Sequence, residues 1–420
     1  MLVEFSVENF RSIKQEARLS LVSGPAKERR ETYLLAPALS KQSGSIKHLL
    51  PSAAIYGANA AGKSNLIRAL SVMQDIILDT SRNVGPIPVK PFLFDSASRD
   101  KPTTFEVMFL TEGVRYQYGF SATAKAVTEE WLYAWPSGRL QTWFQRSAGH
   151  WKFGEKLTGD KEIWRRSTRP DALFLSTAVS LNSKLLQPVS EWFRDKLRVV
   201  VSDSWNRDWT LNSVRGEDKT EVIEFLQAAD LGISDLTLVE KEFHPGNLPA
   251  GMPSELKDLV AKNLSGTPKT ELRLVHETGQ GVPVSLDFDD ESDGTRKIFD
   301  LAGPWLDTLQ NGRVVVIDEL NNSLHPALVR FLVERFHDPD VNSRGAQLIF
   351  STHDTSILSR DVFRRDQIWF CERNEFRETT LFSLSDFRAR KKSEILDRSY
   401  LSGRYGALPY IAPSLATAGR

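Results

Sequence analysis

Three short apolar runs set the framework of this 420-residue chain. They are Ala53–Tyr56, Val314–Ile317 and Gln347–Phe350, and no charged residue interrupts any of them. Continuous runs of this kind are typical of strands in a parallel sheet, which is covered on both faces. After the first run, apolar residues recur at a helical spacing, at Leu66, Leu70, Met73 and Ile77. The pattern therefore predicts an α/β core that contains a strand, a loop and a helix in that order.

A second pattern, alternation of apolar and polar residues, marks the segment Thr103–Phe153. The alternation breaks at a turn near 111–113 and then resumes, which predicts an antiparallel β meander. Helices are predicted near 218–229 and 254–264, where they would form an inserted helical lid. No sustained heptad pattern occurs, so a long coiled-coil arm is not expected.

The loop between the first strand and its helix carries the clearest chemical signal. Glycines at 57 and 62, followed by Lys63 and Ser64, build a loop whose backbone N–H groups converge on nucleotide phosphates. The helix points its positive N-terminal end at the same phosphates. Lys63 would reach the β and γ oxygens, and Ser64 would bind Mg²⁺. The predicted nucleotide-binding residues here are Gly57, Ala58, Asn59, Ala60, Ala61, Gly62, Lys63, Ser64 and Asn65.

Two carboxylates follow the second apolar run, at the end of a strand where open α/β sheets bind their ligands. These are Asp318 and Glu319. Asp318 is predicted to hold Mg²⁺ through water, and Glu319 is predicted to polarise the water that attacks the nucleotide. Together with Lys63 they form a candidate hydrolytic centre.

Four motifs resemble those of the ABC-type ATPases of the SMC, RecF and Rad class. In chain order they are the phosphate loop, a degenerate signature loop at Glu291–Thr295, the Asp-Glu pair with the D-loop-like segment Leu320–Pro326 that follows it, and a histidine at a strand end. His353, after the third apolar run, matches the switch histidine that contacts the γ-phosphate. The resemblance makes Ser292, Gly294 and Thr295 nucleotide-binding residues that act on the partner protomer's ATP, and it makes His353 part of the catalytic set.

Three further segments resemble a narrower group, the stand-alone bacterial AAA-family ATPases of abortive-infection and anti-phage loci, called RloA/AbiL-like. They are Val3–Ile13, Glu130–Tyr133 and Tyr400–Gly406. The resemblance implies an α/β P-loop NTPase fold, an ABC-type ATPase head with a mixed or parallel sheet, an antiparallel β meander and the inserted lid. It divides the chain into an N-terminal lobe (1–90), a meander and inserted α/β lid region (91–280) and a C-terminal lobe (281–420).

The same resemblance implies a Mg²⁺-dependent ATPase that forms a homodimer, or a higher oligomer, around ATP. In this group the assembly would regulate an effector protein encoded nearby, such as a toxic nuclease of the Toprim type, and a phage-derived trigger would change its state. Ala60, Asn321 and the Ser-Asp-Gly-Thr signature depart from the usual pattern, so slow turnover is expected. The glutamine of a Q-loop is not evident, and Lys90–Asp95 is the expected region for that loop.

The alternative function is a RecF-like DNA-repair or replication ATPase. Eight of the ten tryptophans lie between Trp131 and Trp209, and the segment 139–169 has eight Lys or Arg against three Asp or Glu. Aromatics among basic residues either clamp nucleic acid or a partner protein, or form a buried aromatic face with a solvated basic face, and the sequence leaves both open. A transporter motor is disfavoured by the long insertion and the weak signature.

The overall composition of the chain limits the kinds of partner and the cellular location that can be expected. Lys plus Arg and Asp plus Glu both total 54, so no net field draws the chain to nucleic acid or to anionic membranes. One cysteine, Cys371, is expected to be inert, and its isolation fits the reducing cytosol. No apolar run approaches the roughly 20 residues that span a bilayer. A cytoplasmic protein without a membrane partner is therefore expected.

Overall fold

The computed structural model describes residues 1–25, 34–36, 46–81, 83–201, 207–242, 253, 256–257, 268–388 and 394–409. The chain divides into two compact units. The core unit comprises Met1–Asp203 and Asp307–Arg420, and the inserted unit comprises Ser204–Leu306. The three-segment division made from the sequence stays a prediction.

Strands are numbered in chain order. They are β1 (Leu2–Glu8), β2 (Ala17–Ser20), β3 (Ser52–Tyr56), β4 (Thr103–Thr111), β5 (Val114–Ala122), β6 (Val127–Trp135), β7 (Gln141–Ser147), β8 (His150–Phe153), β9 (Leu197–Val200), β10 (Ile233–Glu242), β11 (Pro268–Glu277), β12 (Pro283–Asp287), β13 (Val314–Ile317), β14 (Gln347–Ser351), β15 (Ile368–Arg373) and β16 (Thr379–Ser383).

Helices are numbered in the same way. They are α1 (Lys63–Asp79), α2 (Ser96–Arg99), α3 (Lys161–Ser167), α4 (Phe174–Ser180), α5 (Gln187–Glu191), α6 (Arg207–Arg215), α7 (Lys219–Ala228), α8 (Asp293–Asn311), α9 (Pro326–His337) and α10 (Leu396–Leu401), and a π-helical turn covers Trp192–Lys196. No helix in the described part of the chain has both the length and the apolar character needed to cross a membrane.

A six-stranded mixed sheet forms the centre of the core unit, in the order β16-β15-β3-β14-β13-β9. The strands from β15 to β9 are parallel, and β16 pairs antiparallel to β15 at one edge. The three apolar runs are the buried strands β3, β13 and β14, so their prediction is confirmed. Because parallel strands end at the same edge, the segments that follow all three emerge side by side.

Helix α1 packs its apolar face into the core, as its spacing predicts. Leu66, Leu70, Met73 and Ile77 are buried. The helix also holds the π-helical turn, because the Gln74 side-chain amide donates to the carbonyls of Phe193 and Leu197 at 2.6 and 3.0 Å. This turn leads directly into β9, the neighbour of β13.

A seven-stranded antiparallel sheet, in the order β2-β1-β4-β5-β6-β7-β8, contains the predicted meander. The N-terminal strands β1 and β2 also join this sheet, which the sequence pattern did not indicate. Aromatic side chains fill its covered face: Trp143 and Trp192 are buried, and Phe109 stacks on Trp192 with ring centroids 4.2 Å apart. These tryptophans therefore belong to the core.

A buried ion pair ties the meander to helix α4. The Glu130 carboxylate, fully buried, lies 3.1 Å from Arg146 Nε and accepts from the Tyr118 hydroxyl at 2.9 Å. It also accepts from the backbone N–H groups of Phe174 and Leu175, at 2.8 and 3.0 Å, in the first turn of α4. One side chain thus satisfies two otherwise unpaired helix donors and pairs the charge of a buried guanidinium.

Glu130→Ala should lower the free energy of unfolding by about 3–5 kcal/mol, because it leaves the Arg146 charge buried without its partner. Urea unfolding followed by circular dichroism measures this loss. Glu129→Ala is the matched control, since Glu129 is exposed and accepts a hydrogen bond from the Ser147 hydroxyl; it should change stability by less than about 1 kcal/mol. Equal effects of the two substitutions would contradict the assignment of Glu130 as a core anchor.

The inserted unit combines helices with a small sheet. Strands β10, β11 and β12 form a three-stranded antiparallel sheet that the sequence pattern did not locate. The helix predicted at 218–229 is α7, whereas most of the one predicted at 254–264 lies outside the described residues. Helices α6 and α8 meet where the Thr210 hydroxyl donates to the Phe299 carbonyl at 2.9 Å. The predicted α/β fold with a mixed sheet and an antiparallel meander is confirmed, and the inserted unit, predicted as a helical lid, contains the sheet β10-β11-β12 as well as helices.

Candidate functional site

The phosphate loop joins β3 to α1 and depends on two glycines. Gly57 and Gly62 have φ values of 152° and 109°, in the region that side chains with a Cβ rarely adopt. A Cβ at Gly57 would overlap the Cys371 carbonyl oxygen, and one at Gly62 would overlap the Thr379 hydroxyl. The phosphate loop can therefore pack this closely against β15 and β16 only with glycine at both positions.

Lys63 bends back over the loop that precedes it. Its ammonium donates to the carbonyls of Gly57 and Ala58 at 2.7 and 3.2 Å, and only 6% of the residue is exposed. Burial lowers the pKa of Lys63, while the nearby Cys371, Glu319 and Asp318 act in the opposite direction. A polyphosphate in the loop would favour the charged ammonium further, so nucleotide binding and protonation of Lys63 reinforce each other.

The far side of the loop is held by residues from both ends of the chain. The Thr379 hydroxyl donates to the carbonyl of Ala61 at 2.8 Å and accepts from the Ser12 hydroxyl, which also lies at 2.8 Å. The Asn65 side chain donates to the same Ser12 hydroxyl at 2.8 Å. Sequence reasoning missed Ser12 and Thr379 as site residues, although Ser12 lies in the opening segment that carries the family resemblance.

Asp318 and Glu319 share one serine from the neighbouring strand. The Ser351 hydroxyl donates to Asp318 Oδ1 at 2.6 Å and accepts from the Glu319 N–H at 2.8 Å. Glu319 has φ of 53°, a left-handed conformation that costs of order 1–3 kcal/mol in a non-glycine residue. The Asn322 amide holds its carboxylate at 3.0 Å. The strained backbone and these contacts direct Glu319 into the cleft described below.

His353 is oriented by Asn321, the residue that departs from the usual motif. The Thr352 hydroxyl donates to Asn321 Oδ1 at 2.9 Å, which leaves the Asn321 amide group facing His353 Nε2 at 3.1 Å. The same amide nitrogen lies 3.4 Å from His353 Nδ1, so it contacts both ring nitrogens. Asn321 therefore holds the ring of the predicted switch histidine in place.

These segments surround one cleft of about 1000 Å³. The predicted residues Asn59–Asn65, Glu319 and His353 line it; Asp318 lies immediately before Glu319, held by Ser351. Four cationic side chains that the sequence analysis did not assign also line the cleft, namely Arg11, Lys90, Arg99 and Arg373. With Lys63 they outnumber Glu319, the one acidic side chain of the lining, so the cleft suits a polyanion.

The segment 90–95 was expected to supply the Q-loop. Lys90, Pro91, Leu93 and Phe94 do line the cleft, and Leu93 and Phe94 are exposed apolar residues there. The segment has no glutamine. It therefore offers apolar and cationic contacts to a ligand in place of an amide.

Mg²⁺ would have to be held partly by the nucleotide. Within the described ranges, no group of three or more His, Cys, Asp and Glu side chains could hold a metal ion. The Ser64 hydroxyl and the Asp318 carboxylate are the oxygen ligands that the sequence predicts. Mg²⁺ commonly takes one or two such protein ligands together with phosphate oxygens and water, so the residues present fit this ion.

The predicted signature residues belong to the inserted unit. The Ser292 hydroxyl accepts from the Thr295 N–H at 3.1 Å and lies 2.8 Å from the Thr295 hydroxyl. Ser292 thus caps the N-terminus of α8, a contact typical of serine before a helix. Its action on a partner's nucleotide, with Gly294 and Thr295, stays a prediction.

Cys371 is fully buried, and burial raises the pKa of its thiol to about 12. Because the thiolate is the reactive form, native protein should react with a thiol reagent at least about 100-fold more slowly than urea-unfolded protein. Absorbance of the released thionitrobenzoate measures both rates. Fast stoichiometric labelling of the native protein would contradict the buried position.

The chain was compared with known proteins. Among solved structures, the chain is similar to the SMC head domain from Thermotoga maritima, with 10% identity, a TM-score of 0.40, and coverage of 91% of this chain and 98% of that chain. It is also similar to the recombination mediator RecF-ATPrS of the RecFOR pathway, with 14% identity, a TM-score of 0.34, and coverage of 88% and 97%. No curated protein sequence matches the chain. The family described as "AAA domain, putative AbiEii toxin, Type IV TA system" matches residues 52–359, well over half of the chain.

Proposed function

The chain belongs to this AAA-domain family, and we propose that it is a Mg²⁺-dependent ATPase that dimerises around ATP and thereby controls a separate effector protein. The observation that carries the proposal is the single cleft lined by the phosphate loop, Glu319 and His353. These groups come from three separate strand ends, and they are the groups that phosphoryl transfer to water requires.

In the proposed reaction the protein mainly positions charge. The loop N–H groups, the α1 N-terminus and Lys63 bind the phosphates, and Ser64 and Asp318 hold Mg²⁺, which neutralises charge on the phosphate oxygens when bound. Glu319 accepts a proton from the attacking water. His353, held by Asn321, lies at the cleft where the γ-phosphate would be.

Dimerisation is proposed to depend on the intact triphosphate. Ser292, Gly294 and Thr295 of one protomer would contact the γ-phosphate bound by the partner protomer. A small loop of this kind offers N–H and hydroxyl donors, so the dimer gains binding energy from ATP and loses it after hydrolysis. The unusual signature and Asn321 favour slow turnover, which suits a timed regulatory state.

The effector part of the proposal draws on the family. Its description names a putative toxin and a type IV toxin–antitoxin system, which supports a role in controlling growth or defence. We propose that the ATP-bound dimer holds or licenses a toxic nuclease encoded nearby and that a phage-derived trigger changes this state. The location that fits the proposal is the cytoplasm.

Co-purification from the native locus tests the effector. Tagged Glu319→Gln protein is purified with ATP and Mg²⁺, and Lys63→Ala protein serves as the matched control that cannot bind nucleotide. A stoichiometric protein found by mass spectrometry only with Glu319→Gln would support the proposal. Nucleic acid without a protein partner would instead support the RecF-like alternative, for which the exposed basic residues Arg139, Lys152, Lys156 and Arg166 beside the meander are the candidate contacts.

A further inference from the structure

The segment 394–409 reaches the phosphate loop through one backbone hydrogen bond. The Ala58 N–H donates to the Ala407 carbonyl at 2.9 Å. Ala58 is the second residue of the loop, so this bond fixes the loop where it leaves β3. It joins two residues that are almost 350 positions apart in the sequence.

Ala407 is itself held on both sides. Its N–H donates to Glu372 Oε1 at 3.0 Å, and its carbonyl accepts a second hydrogen bond, from the Tyr400 hydroxyl, at 3.0 Å. Ala407 has φ of 57°, and such a conformation in alanine persists only where surrounding contacts impose it. Gly406 precedes it with φ of 66°, and a Cβ there would crowd the Glu372 carboxylate.

The Tyr400 side chain that donates to the Ala407 carbonyl is itself held in place by packing. Only 5% of the residue is exposed, and its ring stacks on Phe370 with centroids 5.3 Å apart. The Tyr405 ring also stacks on Phe370, with ring centroids 5.6 Å apart. The Tyr405 hydroxyl donates to the Glu394 carboxylate at 2.6 Å. Burial raises the pKa of Tyr400 to about 12, so its hydroxyl keeps the proton that it donates to Ala407.

We propose that Tyr400, Glu372 and Ala407 are positioning residues of the nucleotide site. They hold the Ala407 carbonyl against the Ala58 amide and thereby fix the start of the phosphate loop before a ligand arrives. A preorganised loop binds more tightly, because less conformational freedom is lost on binding. The inference rests on the proposed function in one respect, namely that this loop binds a nucleotide.

Tyr400→Phe is the first test, with Tyr118→Phe as its matched control. Each substitution removes one buried hydroxyl and one hydrogen bond, but Tyr118 donates to Glu130, away from the nucleotide cleft. Tyr400→Phe should weaken ADP and ATP binding about fivefold, the effect of about 1 kcal/mol, as measured by titration calorimetry. Tyr118→Phe should change these affinities less than about twofold, whatever it does to the melting temperature.

Hydrogen exchange of the phosphate loop distinguishes a positioning role of Tyr400 from a purely structural role. A peptide that covers 53–64 should exchange faster in nucleotide-free Tyr400→Phe than in the wild type and in Tyr118→Phe, because the Ala58 amide loses its fixed acceptor. Wild-type exchange and wild-type affinity in folded Tyr400→Phe would overturn the proposal. Should wild-type protein bind neither ADP nor ATP, the proposed function fails first, and the exchange result still decides whether the tyrosine positions the loop.

Glu372 gives a second, independent test if Tyr400→Phe folds poorly. Glu372 is exposed, so its substitution spares the core. Glu372→Ala removes the acceptor of the Ala407 N–H and should weaken ADP binding about threefold or more, whereas Glu372→Gln keeps an acceptor oxygen and should bind as the wild type does. Equal affinities of the Ala and Gln variants would contradict the positioning role.

Discussion

Lys63→Ala should weaken ATP binding at least about 100-fold, because it removes the charged donor that is proposed to bind the phosphates. Titration calorimetry with Mg²⁺ and ATP measures the loss. The ammonium contacts the Gly57 and Ala58 carbonyls, so its removal also leaves the loop without its central hydrogen bonds. Circular dichroism establishes that the variant remains folded.

Lys90→Ala is the matched control for this prediction. Lys90 also lines the cleft but is exposed, so its charge is screened by water and its loss should cost less than about tenfold in affinity. Wild-type affinity in Lys63→Ala would remove the basis for calling 57–64 a phosphate loop. Equal losses in the two variants would indicate a general charge effect and no specific role for Lys63.

Glu319→Gln should bind ATP as the wild type does and hydrolyse it at least about 100-fold more slowly. Glutamine retains the shape of the side chain and an oxygen for the Asn322 amide, but it cannot accept the proton of the attacking water. Phosphate release in single-turnover experiments measures the chemical step apart from product release. Unchanged hydrolysis would place the general base at another residue.

Glu129→Gln is the control for Glu319→Gln, since it makes the same chemical change at an exposed residue outside the cleft. Its turnover should match that of the wild type. A similar loss of turnover in both variants would point to reduced protein quality, whereas a loss confined to Glu319→Gln assigns the step to this carboxylate.

The parts of the site that could be predicted are those encoded locally. A phosphate loop needs its glycines, lysine and serine within eight residues, and an Asp-Glu pair needs only the apolar strand before it. Their convergence follows from the parallel sheet, because β14 lies between β3 and β13 and all three end at one edge. The pattern of apolar residues is therefore enough to predict that the segments after these strands lie together at one edge of the sheet.

The residues that support the phosphate loop and the Asp-Glu pair could not be predicted, because they come from distant parts of the chain. Ser12, Ser351, Thr379 and Ala407 act through single hydroxyl or carbonyl groups, and such residues carry no local pattern. Only the fold brings them together. The same limit explains why strands β1 and β2 were not expected in the meander sheet.

The tryptophan-rich basic segment shows how burial decides between readings that composition leaves open. Trp143, Trp164 and Trp192 are buried, and Arg146 pairs with Glu130. These residues act in the core. Arg139, Lys152, Lys156 and Arg166 remain exposed, so they are the candidate contacts for an acidic partner.

Sedimentation velocity of the Glu319→Gln protein tests the central claim, that this cleft binds ATP and that the intact triphosphate drives dimerisation. A species of twice 47.4 kDa is expected with ATP and Mg²⁺, and a monomer is expected with ADP. Ser292→Asp is the companion variant: aspartate still caps α8 but repels the γ-phosphate, so it should bind ATP without forming the dimer. A monomer of Glu319→Gln at saturating ATP, or the same dimer with ADP, would show that the intact triphosphate does not drive dimerisation.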